Sequence, residues 1–286
     1  TLEPNCFKQY FFERLAACVG RENAGRQFIA ITDPGSRMEQ VARDDRFRHI
    51  FYGKAIIGGR FSALSAFGMT AAASMGLDVE QLLQNTKPMV DACRNADLRE
   101  NSGALLGLIL GVCHRAGRDK LTIFTSPEIY DLGAWMEQLV AESTGKNGVA
   151  IIPVDREPPE HSARYGNDRV FVYLTLPADD GFVEHAREMS VAGHPVVQVR
   201  LNGIDTLGQE FFRWEFATAV AGAVMGINPF NQPDVESAKI EARKMEIERI
   251  DFDLRSTLEG ATELLSARAH EKGLRLAGVT DPDVPA

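Results

Sequence analysis

The chain has 286 residues, 44% hydrophobic and 25% charged, an ordinary soluble profile with room for one large α/β unit or two modest domains. Its net charge of −9 argues against nucleic acid as a partner, although a few local Arg and Lys residues can still hold a small anion. No apolar run reaches the roughly 18–20 residues of a membrane span, and four cysteines without CxxC spacing, behind no signal peptide, predict reduced thiols in a cytoplasmic protein.

Thr1-Leu2-Glu3-Pro4 reads as a helix start, with a Thr cap, an acid in the first turn and an early Pro. A helix with no strand before it predicts that the amino terminus is a cut rather than a natural start. Residues 2–19 carry Phe7, Tyr10, Phe11, Leu15 and Cys18 at helical spacing. Residues 28–32 form a short apolar strand ended by Asp33-Pro34-Gly35, and Ser36 caps a helix running to about Asp44. A second strand covers 47–52 and leads to Gly58-Gly59. A long small-residue helical stretch starts at Ser62, and another helix covers 103–115.

The alternation then repeats. Strands are predicted at 120–125, 150–154, 169–176 and 195–201, and helices at 127–143, 182–192 and 211–225. Such alternation implies parallel sheets with helices on both faces, and therefore three-layer αβα units. Two units divided near residue 117 fit the length: 1–116, the first and incomplete, and 117–240. Residues 241–286 form a charged, helical tail. In open parallel sheets, ligands sit on the loops beyond the carboxyl ends of the strands.

Three loop segments carry candidate chemistry. Gly58-Gly59-Arg60-Phe61-Ser62 follows a strand and opens a helix; its glycines allow close backbone approach, and Arg60 offers a charged fork for a developing oxyanion. Glu142 precedes Ser143-Thr144-Gly145-Lys146 near a helix end, where a carboxylate in a partly closed cleft can act as a base. Asn228-Pro229-Phe230-Asn231-Gln232-Pro233 leads to Lys239, seven residues beyond Gln232 and on the same face of a helical continuation. Each segment alone is more often a turn with a surface charge. Together, one carboxylate, one guanidinium and one ammonium on three α/β connections can move a proton next to a carbonyl, the chemistry of sugar isomerisation. That reaction needs no metal or cofactor, and the six histidines and four cysteines show no metal-ligand spacing.

These segments, with 1–12, 126–154 and 213–239, resemble phosphoglucose isomerases in order and spacing, especially the isomerase half of fused transaldolase/phosphoglucose isomerase proteins. The resemblance covers roughly residues 1–240. It implies two sugar-isomerase (SIS) domains, a sugar phosphate substrate, glucose 6-phosphate–fructose 6-phosphate isomerisation in glycolysis and gluconeogenesis, and a homodimer. Carried over, Glu142 is the base that moves the proton between C2 and C1, Arg60 stabilises the enediolate and Lys239 assists ring opening. Gln232, Gly58 and Gly59 contact substrate, and Thr1 is the last threonine of a phosphate-cradling loop. A non-catalytic sugar-phosphate-binding regulatory module is the alternative; it would not need the Glu, Arg and Lys trio.

The chain departs from the family pattern in three places. The rest of the phosphate loop and the strand before it are missing. The Gly-x-Asn-Gly-Gln-His segment is absent, leaving His161 and His194 as candidates for ring opening. From about residue 244 the sequence is similar instead to a piece of a sensor histidine kinase, including Ser266-Ala267-Arg268-Ala269-His270-Glu271, but without a phosphoacceptor segment or an ATP-binding glycine box. A signalling fragment is thus a third reading, resting on the tail alone.

Overall fold

The computed structural model describes residues 2–231, all within one compact unit that spans Thr1–Asp234. The chain opens with α1 (Leu2–Val19) and α2 (Arg21–Ala24), then β1 (Ile29–Thr32), α3 (Arg37–Asp44) and β2 (His49–Tyr52). Three helices follow: α4 (Ala66–Ser74), α5 (Val79–Ala92) and α6 (Ser102–Arg115). The remainder alternates through β3 (Lys120–Thr125), α7 (Asp131–Thr144), β4 (Ile152–Asp155), β5 (Arg169–Thr175), α8 (Val183–Val191), β6 (Val196–Arg200) and α9 (Leu207–Met225). Among the described residues, the six strands pair in parallel. One sheet holds β1 and β2, and the other runs in the order β4-β3-β5-β6. The α/β class and the parallel sheets expected from the sequence are present.

The larger sheet is covered on both faces, and β5 shows how its sequence permits that. Val170, Val172 and Leu174 point into a core shared with α6, α7 and α9, while Phe171 and Tyr173 point to the opposite face beneath α8. Pro153 lies in β4, the edge strand, where a missing backbone donor is tolerated. On the first face α6 packs closely on α9. Gly103, Gly107 and Gly111 recur every four residues along α6 and face Phe216, Val220 and Val224 of α9; a Cβ on Gly107 or Gly111 would lie 2.6 Å from the Cβ of Val220 or Val224.

Local chemistry sets the helix starts. Ser36 accepts the Glu39 amide, and the Glu39 carboxylate returns to the Gly35 amide at 2.6 Å, a reciprocal cap. Asp78 caps α5, and Asn101 caps α6 while its amide group ties to the carbonyls of Cys93 and Asn95.

Several expectations change in detail. The stretch from Ser62 is two helices rather than one, broken at Gly76, whose φ is +88°, before the Asp78 cap. The Ser62 hydroxyl donates to Gly59 O, and it is Ser65 that caps α4. α9 begins four residues earlier than expected, at Leu207. Packing also crosses residue 117, since Leu106 and Leu110 of α6 belong to the same core as β3, β5, α7 and α9. On α1 and β2, Phe7, Tyr10, Phe11, Phe51 and Tyr52 are exposed. Among the described residues, no helix is long and apolar enough to cross a membrane.

Candidate active site

Arg60 is the centre of the site. It sits in a tight helical turn, Gly59–Phe61, entered from Gly58 after β2, and its side chain is 1% exposed. Its Nε donates to Ser143 Oγ at 2.9 Å and its Nη2 to Pro229 O at 3.0 Å. The remaining nitrogen, Nη1, lies 3.1 Å from Glu142 Oε1, yet it is buried and out of alignment for a hydrogen bond. Glu142 keeps 28% of its side chain exposed, while the guanidinium beside it is buried. A Cβ on Gly59 would meet no atom within 4 Å, so the turn leaves open space beside Arg60.

Glu142 and Ser143 lie on the last turn of α7. Because α7 joins the parallel strands β3 and β4, it runs antiparallel to them, and its last turn lies at their amino ends. The carboxylate thus approaches from the side opposite to that expected for a ligand over an open parallel sheet, while Arg60 comes from the carboxyl end of β2. The site is where these two ends meet.

Just beyond α7, Lys146 and Val149 exchange backbone hydrogen bonds of 2.9 and 3.0 Å around Asn147 and Gly148, both with positive φ. Asn-Gly in this conformation is a preferred tight turn. It turns Lys146 inward, where the residue is 4% exposed and its Nζ donates to Asn228 O and Asn231 O at 2.5 Å and to Asn231 Oδ1 at 3.0 Å. Phe61 and Phe230 close the same junction with ring centroids 5.0 Å apart. The sequence reading singles out neither Ser143 nor Lys146, although the Asn-Gly signal is visible there.

Glu215 of α9 lies behind the Arg60 turn. Burial pushes its carboxyl up to about 7, and the Ala63 backbone N–H acts in the other direction. On the far face of α9, Glu210 is 2% exposed and 3.2 Å from Arg213; burial raises its carboxyl too, against the pull of Arg213.

The structure brings Arg60, Glu142 and the start of the 228–239 segment together; Thr1, Gln232 and Lys239 lie outside the described residues. Neither candidate histidine joins them. His161 is exposed and faces Glu188 of α8 at 3.4 Å. His194 is buried against Phe171 on the α8 face, with its proton affinity lowered by burial and by Arg118 and Arg169. The four-stranded sheet separates both from the α7 face that carries Glu142. Among the described residues no histidine forms a hydrogen bond or ion pair with Arg60 or Glu142, and no group of three or more His, Cys, Asp and Glu residues is placed to hold a metal ion.

Comparison with known proteins gives a consistent result. The family described as Phosphoglucose isomerase matches residues 5–157. The chain is 27% identical over 279 residues to a glucose-6-phosphate isomerase of Clostridioides difficile (strain 630), with 84% of this chain and 62% of that protein covered. It is 26% identical over 248 residues to a probable glucose-6-phosphate isomerase of Methanococcus maripaludis, with 75% of this chain and 56% of that protein covered. The chain thus spans about three fifths of the length of the curated relatives it matches. Among solved structures it is similar in fold to a hypothetical protein from Thermus thermophilus, with a TM-score of 0.74, 22% identity, and 85% of this chain and 68% of that one covered. It is also similar to a glucose-6-phosphate isomerase from Chlamydia trachomatis, with a TM-score of 0.65, 19% identity, and 92% and 60% covered.

Proposed function

Because the chain belongs to the phosphoglucose isomerase family, we propose that it carries the aldose–ketose isomerase chemistry that interconverts glucose 6-phosphate and fructose 6-phosphate through an enediolate. The observation that supports this most directly is the buried Arg60 guanidinium held 3.1 Å from a partly open Glu142 carboxylate. Proton removal next to a carbonyl needs a base at the α-carbon and a fixed positive charge at the carbonyl oxygen, two bonds away. Glu142 takes the C2 proton of the open-chain aldose, electrons flow from the C–H bond to the C1 oxygen, and Arg60 Nη1 faces the oxyanion that results. Return of the same proton to C1, with transfer of the C2 hydroxyl proton to the C1 oxygen, completes the ketose. A prepositioned donor in a water-poor site is worth a few kcal/mol to such a step.

Lys239 as the group assisting ring opening, and Gln232, Thr1, Gly58 and Gly59 as substrate contacts, belong to the same reading, as do a glycolytic role, a homodimer and a cytoplasmic location. The ring-opening histidine is left unassigned, since His161 and His194 lie across the sheet from Glu142. The decisive experiment is Glu142→Gln in the full-length protein, assayed for fructose 6-phosphate conversion with a coupled dehydrogenase. A loss of roughly 10²–10⁴-fold in kcat, with sugar-phosphate binding retained, is expected of a general base. Unchanged turnover would remove Glu142 from the mechanism. A parent protein that binds sugar phosphate without turning it over would favour the regulatory-module reading.

A further inference from the structure

We infer that Lys146 is a positioning residue for the site, acting through the turn at Asn228–Asn231 rather than by touching substrate. The inference rests on the isomerase reading above. Its basis is a pair of buried cations gripping one short stretch of backbone. Lys146 Nζ donates to the carbonyl oxygens of Asn228 and Asn231 and to the Asn231 side chain, and Arg60 Nη2 donates to the carbonyl of Pro229 between them. Three carbonyls of a four-residue turn are thus fixed by two residues that are each 4% exposed.

A consequence follows from this geometry. The turn holds one of the two anchors that fix the plane of the Arg60 guanidinium, so its position decides where Nη1 lies relative to Glu142. In the sequence, the turn immediately precedes Gln232. Lys146 lies four residues after Glu142, and its own orientation is fixed by the Asn147-Gly148 turn. The base and the clamp on the opposite segment are thereby carried by one continuous stretch of chain. An ammonium suits the task. Its three donors can reach several oxygens around a point.

The test uses the full-length protein and three variants. Lys146→Met keeps the length and removes the donors; Lys146→Arg restores a cation; Asn231→Ala removes only the side-chain acceptor and is the mildest change. Each is measured for melting temperature and for kcat and KM with fructose 6-phosphate. Lys146→Met is expected to lower kcat/KM by about tenfold or more per folded molecule, the scale expected when catalytic groups lose their fixed placement. Lys146→Arg should recover part of that loss, and Asn231→Ala should shift kcat/KM in the same direction by a smaller factor. Should Lys146→Met fail to fold, Lys146→Arg and Asn231→Ala decide the matter. Variants that melt earlier but keep kcat and KM within about twofold of the parent would show that Lys146 serves stability alone, and would overturn the inference. Glu142→Gln measured alongside separates the two ideas: if it abolishes turnover while the Lys146 and Asn231 variants keep theirs, the isomerase reading stands and the positioning role falls.

Discussion

Replacing Glu215 by Gln should make the stability of this protein less sensitive to pH, and the size of the change can be worked from the site. The Glu215 carboxyl is raised from its ordinary value of 4.5 to about 7, chiefly by burial, and its Oε1 is buried without a partner. Between these two values the folded protein holds a proton that the unfolded chain releases, so stability falls as pH rises from about 4.5 to 7 and then levels. At about 1.4 kcal/mol per pH unit of proton affinity, the penalty reaches about 3 kcal/mol above neutrality. The substituted amide is neutral throughout, so the variant escapes the penalty while losing only the attraction between the anion and the Ala63 amide. The gap between variant and parent should therefore be small near pH 5 and widen progressively, with the variant melting higher by roughly 6–12 °C at pH 8, since about 1 kcal/mol moves the midpoint by roughly 2–4 °C in a protein of this size. Thermal unfolding followed by circular dichroism from pH 5 to 8 measures the separation. A constant offset between the two proteins across that range would show that Glu215 does not titrate there and would refute the reasoning.

Two further substitutions probe the packing and the guanidinium. Arg60→Lys keeps the charge but cannot reach Ser143 Oγ, Pro229 O and the Glu142 side with one planar fork. It should lower kcat by roughly 10²-fold and, by leaving a buried acceptor unpaired, destabilise the fold by roughly 1–3 kcal/mol, read from steady-state kinetics and thermal melts on the same preparation. Gly107→Val should destabilise by roughly 1–3 kcal/mol, because even a Cβ there would lie 2.6 Å from that of Val220; a melting temperature equal to the parent's would mean that α6 and α9 can separate freely.

The sequence shows the larger sheet well and the site poorly, for different physical reasons. β3 and β5 are buried on both faces and rich in β-branched and aromatic residues, so they are found from local sequence alone and nothing distant is needed. Ser36 with Glu39 is likewise a local signal, and the structure contains the cap it describes. α5 escapes a reading by apolar pattern because it is largely polar and contains Pro88, although Gly76 and Asp78 mark its start. Arg60 and Glu142 are far apart in the chain, and no local property of either predicts that their side chains meet; only the resemblance to a family links them. The placement of Glu142 at the amino ends of β3 and β4 is hidden for the same reason. The rule for open parallel sheets concerns loops that leave strands, and it is silent about the end of a returning helix. His161 and His194 are candidates by sequence neighbourhood, but the four-stranded sheet stands between them and Glu142.

The arrangement around Arg60 answers a difficulty that any site of this kind must meet. A carboxylate and an arginine side by side tend to close into a two-pronged ion pair, which would occupy the base and the oxyanion donor with each other. Here two of the three guanidinium nitrogens are already engaged, Nε by Ser143 and Nη2 by Pro229, so the plane of the group cannot swing to present its fork. Glu142 receives only Nη1, off hydrogen-bond alignment, and remains partly open. The anchors are well chosen for this. Ser143 is the residue next to Glu142, so the same helical turn fixes the carboxylate and half of the guanidinium. Pro229 lies between the two carbonyls held by Lys146, so the other half is fixed by the clamp on the 228–231 turn. Under the proposed mechanism, a change that loosens either anchor should therefore leave the charges intact and still impair the chemistry, because the spare donor would turn toward Glu142 and pair with its carboxylate.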